Sequence, residues 1–168
     1  MNNQLRAIFD TNVYGVIIID QEKEKILNSL NSRSNIIIYG NKIIRSELRD
    51  VPKNKTLGNQ NLRNYILTIY DLIVKDHLIN LDNKMEKIAD QYYESYRFLG
   101  GSLSKESIIN DLIIVACASI KELDIIISND VRSMLSDNAV KAYILVNEIN
   151  KLKVPRFIKY EEFKRLLK

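Results

Sequence analysis

The sequence predicts an α/β domain whose central parallel sheet is covered by helices on both faces, a three-layer α/β/α sandwich. Three observations carry this. The short runs AIFD at 7–10, NIIIY at 35–39 and IIIS at 125–128 are apolar at successive positions, so both faces of each strand are expected to be buried. These runs alternate with stretches of helical periodicity, the order that makes parallel strands joined by helical crossovers. Two of the strands also stop in a carboxylate, a hydroxyl and an amide, at Asp10-Thr11-Asn12 and at Ser128-Asn129-Asp130. Parallel sheets bind ligands beyond the carboxyl ends of their strands, where strand order reverses.

The elements follow in order. Residues 6–10 make the first strand, and Asn12 caps a helical region that reaches about residue 31 with a break near Asp20; VIII at 16–19 fits a strand by periodicity alone. The strand at 35–39 breaks at Gly40, and a helix over 41–50 is stopped by Pro52. Residues 60–80 and 83–99 read as two helices forming a hairpin, closed by Gly100 and Gly101. A very apolar helix from about Ser104 to Lys121 leads to a strand at 124–128, a helix from Ser136 to about Leu152, a short strand at 156–160 and a terminal helix. The whole of 1–168 is one domain, with the hairpin at about 60–99 as an elaboration.

Bulk properties narrow the class. A chain of 168 residues is long enough to bury about 70% of the surface of its unfolded form. Two prolines and five glycines leave no room for a disordered linker. The single Cys117 excludes a disulfide within the chain and any cysteine-based zinc cluster, which points to a reducing compartment and a cytoplasmic protein. The start MNNQLRAIFD has no basic segment followed by a long apolar one, so no secretory signal is expected. The longest apolar stretch, LIIVACASI at 112–120, is about half of a bilayer span, so no membrane partner is expected. A net charge of +4 permits a polyanionic partner without requiring one.

Two more carboxylates join Asp10 and Asp130. Glu47 shares a helical face with Ile43 and Ile44, so it points inward, while Arg45 and Arg49 project toward solvent or a ligand. Asp111 sits in IINDLIIVACASI, where an unpaired carboxylate needs a cation, a donor or a proton. Four such groups converging would repel by about 4 kcal/mol per pair at roughly 4 Å with an effective dielectric near 20. A divalent ion removes that conflict, and oxygen-only ligands favour Mg2+ or Mn2+ over zinc. The four are expected to come close enough to share an ion. Taken singly, each has an ordinary role: Asp10 as a helix cap, Glu47 as a partly exposed helix residue, Asp130 as a turn residue.

FDTN at 9–12, RSEL at 45–48, NDLIIVACA at 110–118 and SND at 128–130 together resemble the PilT N-terminal (PIN) domain nucleases, which include the toxins of many prokaryotic toxin–antitoxin pairs. The resemblance runs nearly end to end and implies a PIN-like sandwich acting as a metal-dependent endoribonuclease. Asp10, Glu47, Asp111 and Asp130 would be both catalytic and metal-binding, holding one or two Mg2+ or Mn2+ ions. Thr11, Asn12, Ser128 and Asn129 would orient them or touch the scissile phosphate, and Arg45 and Arg49, beside Glu47, are candidates to meet the RNA. Implied partners are RNA, a small antitoxin protein, and further copies of the chain in a homodimer or higher oligomer. Two departures stand out: Ser133 where the family often has an aromatic residue, and the longer hairpin. The alternatives are a housekeeping RNA-processing PIN nuclease and an inactive RNA-binding or scaffold PIN domain.

Overall fold

The computed structural model describes residues 4–32 and 35–167; Met1–Asn3, which open the stretch read for a leader, lie outside the described residues. In chain order the elements are β1 (Leu5–Phe9), α1 (Thr11–Ile19), α2 (Lys23–Asn31), β2 (Ile36–Asn41), α3 (Lys42–Arg49), β3 (Thr56–Leu57), β4 (Gln60–Asn61), α4 (Leu62–Val74), β5 (Leu78–Ile79), α5 (Asn83–Phe98), α6 (Lys105–Ile120), β6 (Ile125–Ile127), α7 (Asp137–Asn150), β7 (Arg156–Ile158) and α8 (Tyr160–Leu166).

Five parallel strands form one sheet in the order β5-β2-β1-β6-β7. The central strand β1 pairs Ala7 with Ile38 of β2 and with Ile125 of β6. Ala7, Ile8 and Phe9 are wholly buried because helices cover both faces. On one face α1 packs against α3 and α4, and α2 against α4; on the other, α5 packs against α6 and α7. The result is an α/β/α sandwich. The chain moves outward from β1 to β2 to β5, then returns to place β6 on the far side of β1. Strand order therefore reverses between β1 and β6, and the crevice there opens at the ends that carry Asp10 and Asp130.

Several expectations are corrected. The helix after β1 is capped by Asp10, not Asn12: the Asp10 carboxylate accepts from the amide of Thr11. The helical reading of 12–31 with a break near Asp20 holds, that break separating α1 from α2, and VIII at 16–19 does not form the strand that its periodicity also allowed. Gly40 does not end its strand. It sits inside β2, where a Cβ would lie 2.3 Å from the Tyr70 hydroxyl, so glycine is needed for close packing against α4. The expected hairpin of 60–99 is not a hairpin, because β5 intervenes, pairs with Gly40 and Asn41, and carries the chain from the α4 face to the α5 face. The small antiparallel pair β3–β4 was not foreseen. Among the described residues no helix is long and apolar enough to cross a membrane.

Candidate active site

Asp10 leaves the end of β1 in extended backbone, and its amide bonds to the carbonyl of Ile127 on β6, 2.9 Å away. That pairing holds the carboxyl at the crevice, where it is only 4% exposed. It accepts from the Thr11 amide at 2.7 Å, from the Ser128 hydroxyl at 2.6 Å and from the Asn12 side-chain amide. Burial nevertheless pushes its pKa up to about 6, helped by the charges of Glu47 and Asp130 and opposed by the bonds from Ser128 and Thr11.

Ser128 connects the two strand ends. Its oxygen also accepts from the Asp130 amide at 3.0 Å. Asp130 is then gripped by its own turn, one oxygen accepting from the amides of Arg132 at 2.8 Å and Ser133 at 3.0 Å. Partial burial works against its charge, but the bonds from Ser133 and Arg132 outweigh it and hold this carboxyl below the usual range.

Asp111 lies in the second turn of α6 and meets the Ser133 hydroxyl, which is also 2.6 Å from the other oxygen of Asp130. A hydroxyl has one proton to give, so Ser133 donates to only one of the two carboxyls at a time. Burial, reinforced by the charges of Asp10, Asp130 and Glu47 and opposed by the Ser133 bond, raises Asp111 to about 7. Ser133 is thus a hydroxyl donor shared between Asp111 and Asp130. Glu47, half-buried on α3, accepts from the Thr11 hydroxyl and from the Asn110 side-chain amide at 2.6 Å.

All four carboxyls thus gather at one sheet edge, and none forms an ion pair among the described residues. The expectation that the four stand close enough to share an ion is not met: hydroxyls are interposed, and among the described residues no three His, Cys, Asp or Glu side chains stand close enough to hold an ion together. In kind the donors suit a hard cation, being all oxygen, with two of the four carboxyls pushed toward the neutral form.

The supporting residues divide. Thr11, Asn12 and Ser128 touch the carboxyls directly. Asn129 acts one step back, its amide bonding to Asn12 at 3.2 Å while its side chain accepts from the Tyr160 amide at the start of α8. Arg45 is not turned to the carboxyls; Asp71 on α4 holds it by two bonds of 3.1 Å. Arg49 is exposed and has no side-chain partner among the described residues. Two contributors escaped the sequence reading. Ser133 was visible only as a departure from a pattern, and Asn110 only as the neighbour of Asp111. Tyr143 adds a fully buried hydroxyl without a hydrogen-bond partner, within the field of Asp111, Asp10 and Asp130.

No protein-family model and no curated protein matches this chain. Among solved structures it is similar to a chain in the crystal structure of VapBC2 from Rickettsia felis bound to a DNA fragment from their promoter, at 14% identity and a TM-score of 0.58, over 93% of this chain and 99% of that one. The fold is accordingly a PIN-like three-layer α/β/α sandwich.

Proposed function

We propose that this protein is a Mg2+- or Mn2+-dependent endoribonuclease. The observation that carries the reading is the gathering of Asp10, Glu47, Asp111 and Asp130 at the crevice with hydroxyl and amide donors but, among the described residues, no Lys or Arg paired with them. A protein with no use for this arrangement gains nothing from keeping Asp10 and Asp111 in the repulsion and burial that raise their pKa values.

In this reading the four carboxylates hold one or two ions, either by releasing Thr11 and Ser133 or through the waters that Mg2+ ordinarily keeps. When bound, the ion supplies a water of lowered pKa and positive charge against that growing on the phosphoryl oxygens. The chain's own groups set the stage. Ser128 and Asn12 fix Asp10, Asn110 fixes Glu47, and the turn at 130–133 fixes Asp130. Asp111 must give up its proton to act as a ligand, so metal binding should release protons near neutral pH. Exposed Arg49, Lys53 and Lys55 follow Glu47 in the chain and supply cations for the phosphates of a strand lying across the edge.

The test is cleavage of a short single-stranded RNA. The wild type with Mn2+ should give products with 5′-phosphate and 3′-hydroxyl ends, and EDTA or Asp10→Asn should abolish them. Equal cleavage by the variant would overturn the reading.

The likeness to VapBC2 supports a partner of the antitoxin kind. A small protein encoded beside this chain should co-purify with it and suppress cleavage, and the chain itself should run as a dimer or larger assembly in solution.

A further inference from the structure

At the same sheet edge, two strands out from Asp10, a cavity of about 260 Å3 opens where β2 and β5 end. We propose that it is a nucleobase pocket, which seats one base of the RNA strand whose phosphate is cut at the carboxylates. The proposal rests on the nuclease reading and extends it to the substrate.

Position is the first argument. Strand spacings of roughly 4.8 Å put the end of β5 about 10 Å from the end of β1, within reach of a nucleotide neighbouring the one held at Asp10. The α3 helix links the two places, with Lys42 and Arg45 at the cavity and Glu47 at the carboxylate cluster.

The lining is the second. Leu78, Ile79 and Leu81 make apolar walls, and Leu78 stays 55% exposed on an edge strand, an uncommon place to leave a leucine. Apolar walls beside amides suit a base, which has a hydrophobic face and a polar rim. Asn80 brings an exposed amide.

Asn41, wholly buried and also lining the cavity, is the third. Its carbonyl oxygen caps α3 by accepting from Ile43 and Ile44, which leaves its amide nitrogen with no oxygen or nitrogen acceptor. The Cys117 sulfur beside it is a weak acceptor at best. Cys117 is not among the residues that line the cavity, so the Asn41 amide faces the core, while its carbonyl oxygen fixes the start of α3, which carries Lys42 and Arg45, against the end of β2.

Charge is the fourth. Lys42 is exposed and has no partner among the described residues, so it is free to meet a phosphate. Arg45, held by Asp71 through two bonds, presents a guanidinium whose plane is set, a surface on which bases stack.

The test is titration of metal-free wild type, in EDTA, with AMP, GMP, CMP and UMP, followed by NMR of the Asn80 side-chain amide and the Leu78 and Leu81 methyls. At least one nucleotide should move these signals saturably, whereas ribose 5-phosphate should not. Lys42→Ala and Asn80→Ala should each weaken that nucleotide about fivefold or more, as for one lost ion or hydrogen-bond contact, with unchanged melting temperatures. Three outcomes overturn the proposal: no nucleotide moves the signals, ribose 5-phosphate moves them equally, or both variants bind as the wild type does. No cleavage is measured, so the nuclease reading fails separately, by RNA cleavage that ignores Asp10→Asn.

Discussion

The Ser133 hydroxyl stands 2.6 Å from the Asp130 carboxylate, and its other side meets the carboxyl of Asp111. One small side chain thus separates two acidic groups that lie 19 residues apart in the chain and would otherwise face each other. Without metal, Ser133→Ala removes the hydroxyl donor that Asp130 and Asp111 share. The variant should lose about 2 kcal/mol of stability, the scale of a hydrogen bond to a charged group. Urea titrations with and without saturating Mn2+ provide the check, because an ion bound to the same carboxyls should narrow the gap. An unchanged gap would mean that the ion sits elsewhere.

Asp111→Asn should abolish Mn2+-dependent cleavage, since an amide does not replace a charged ligand. The same change should leave the metal-free fold as stable or more so at pH 8. Asparagine keeps a side-chain oxygen to accept from Ser133 and carries no charge, so it removes a penalty of up to about 4 kcal/mol, at roughly 1.4 kcal/mol per pKa unit. Chemical denaturation at pH 8 decides the matter. Marked destabilisation of the variant would instead assign Asp111 a structural role.

The pH dependence follows from the direction of the shifts. Asp10 and Asp111 have folded pKa values of about 6 and about 7, above the ordinary 3.8. Their contribution to stability is fully present below that ordinary value and is lost as pH rises through 6 and 7. Asp20, Asp124 and Asp130 are shifted the other way, so their contribution is present above the ordinary value and is lost as pH falls through their lowered pKa values. The metal-free protein should therefore be most stable at mildly acidic pH. Mn2+ should raise the melting temperature more at pH 8 than at pH 5, with a gain of about 2.7 kcal/mol at 100 times the dissociation constant. Melting series at both pH values on the wild type and Asp10→Asn test this, and an equal metal shift in the two proteins would count against the cluster as the binding site.

The last helix is tied down by charge. Lys164 on α8 lies 3.0 Å from Asp20 at the joint between α1 and α2, with side chains only 16% and 9% exposed. Lys164→Ala leaves Asp20 without its cation, and breaking a pair this buried should cost about 3 kcal/mol. Hydrogen exchange should show α8 opening more readily than α5 or α6. Loss of protection spread evenly over the chain would mean that α8 unfolds only with the rest.

Much of this architecture is written locally in the chain. Continuous apolar runs mark β1, β2 and β6, Asp20 and Pro52 punctuate the helices, and the apolar surroundings of Asp111 identify it as a carboxyl in need of a partner. The chain positions of Asp10, Glu47, Asp111 and Asp130 relative to strand ends and helix faces are legible for the same reason: period and burial are properties of neighbours in sequence.

What the tertiary structure alone decided involves partners far apart. β5 has two residues and no periodicity of its own; it is a strand because Gly40 and Asn41 offer an open edge to pair with. Asp10, Thr11 and Asn12 are all chemically able to cap a helix, and the bond from the Asp10 amide to Ile127 selects the first. Arg45 belongs to Asp71, 26 residues away, and Ser133 bridges to Asp111 across 22. A hydroxyl or guanidinium carries no local signal of which distant acceptor it will meet, because that choice is made only when the packing of helices on the sheet fixes which groups lie within 3 Å.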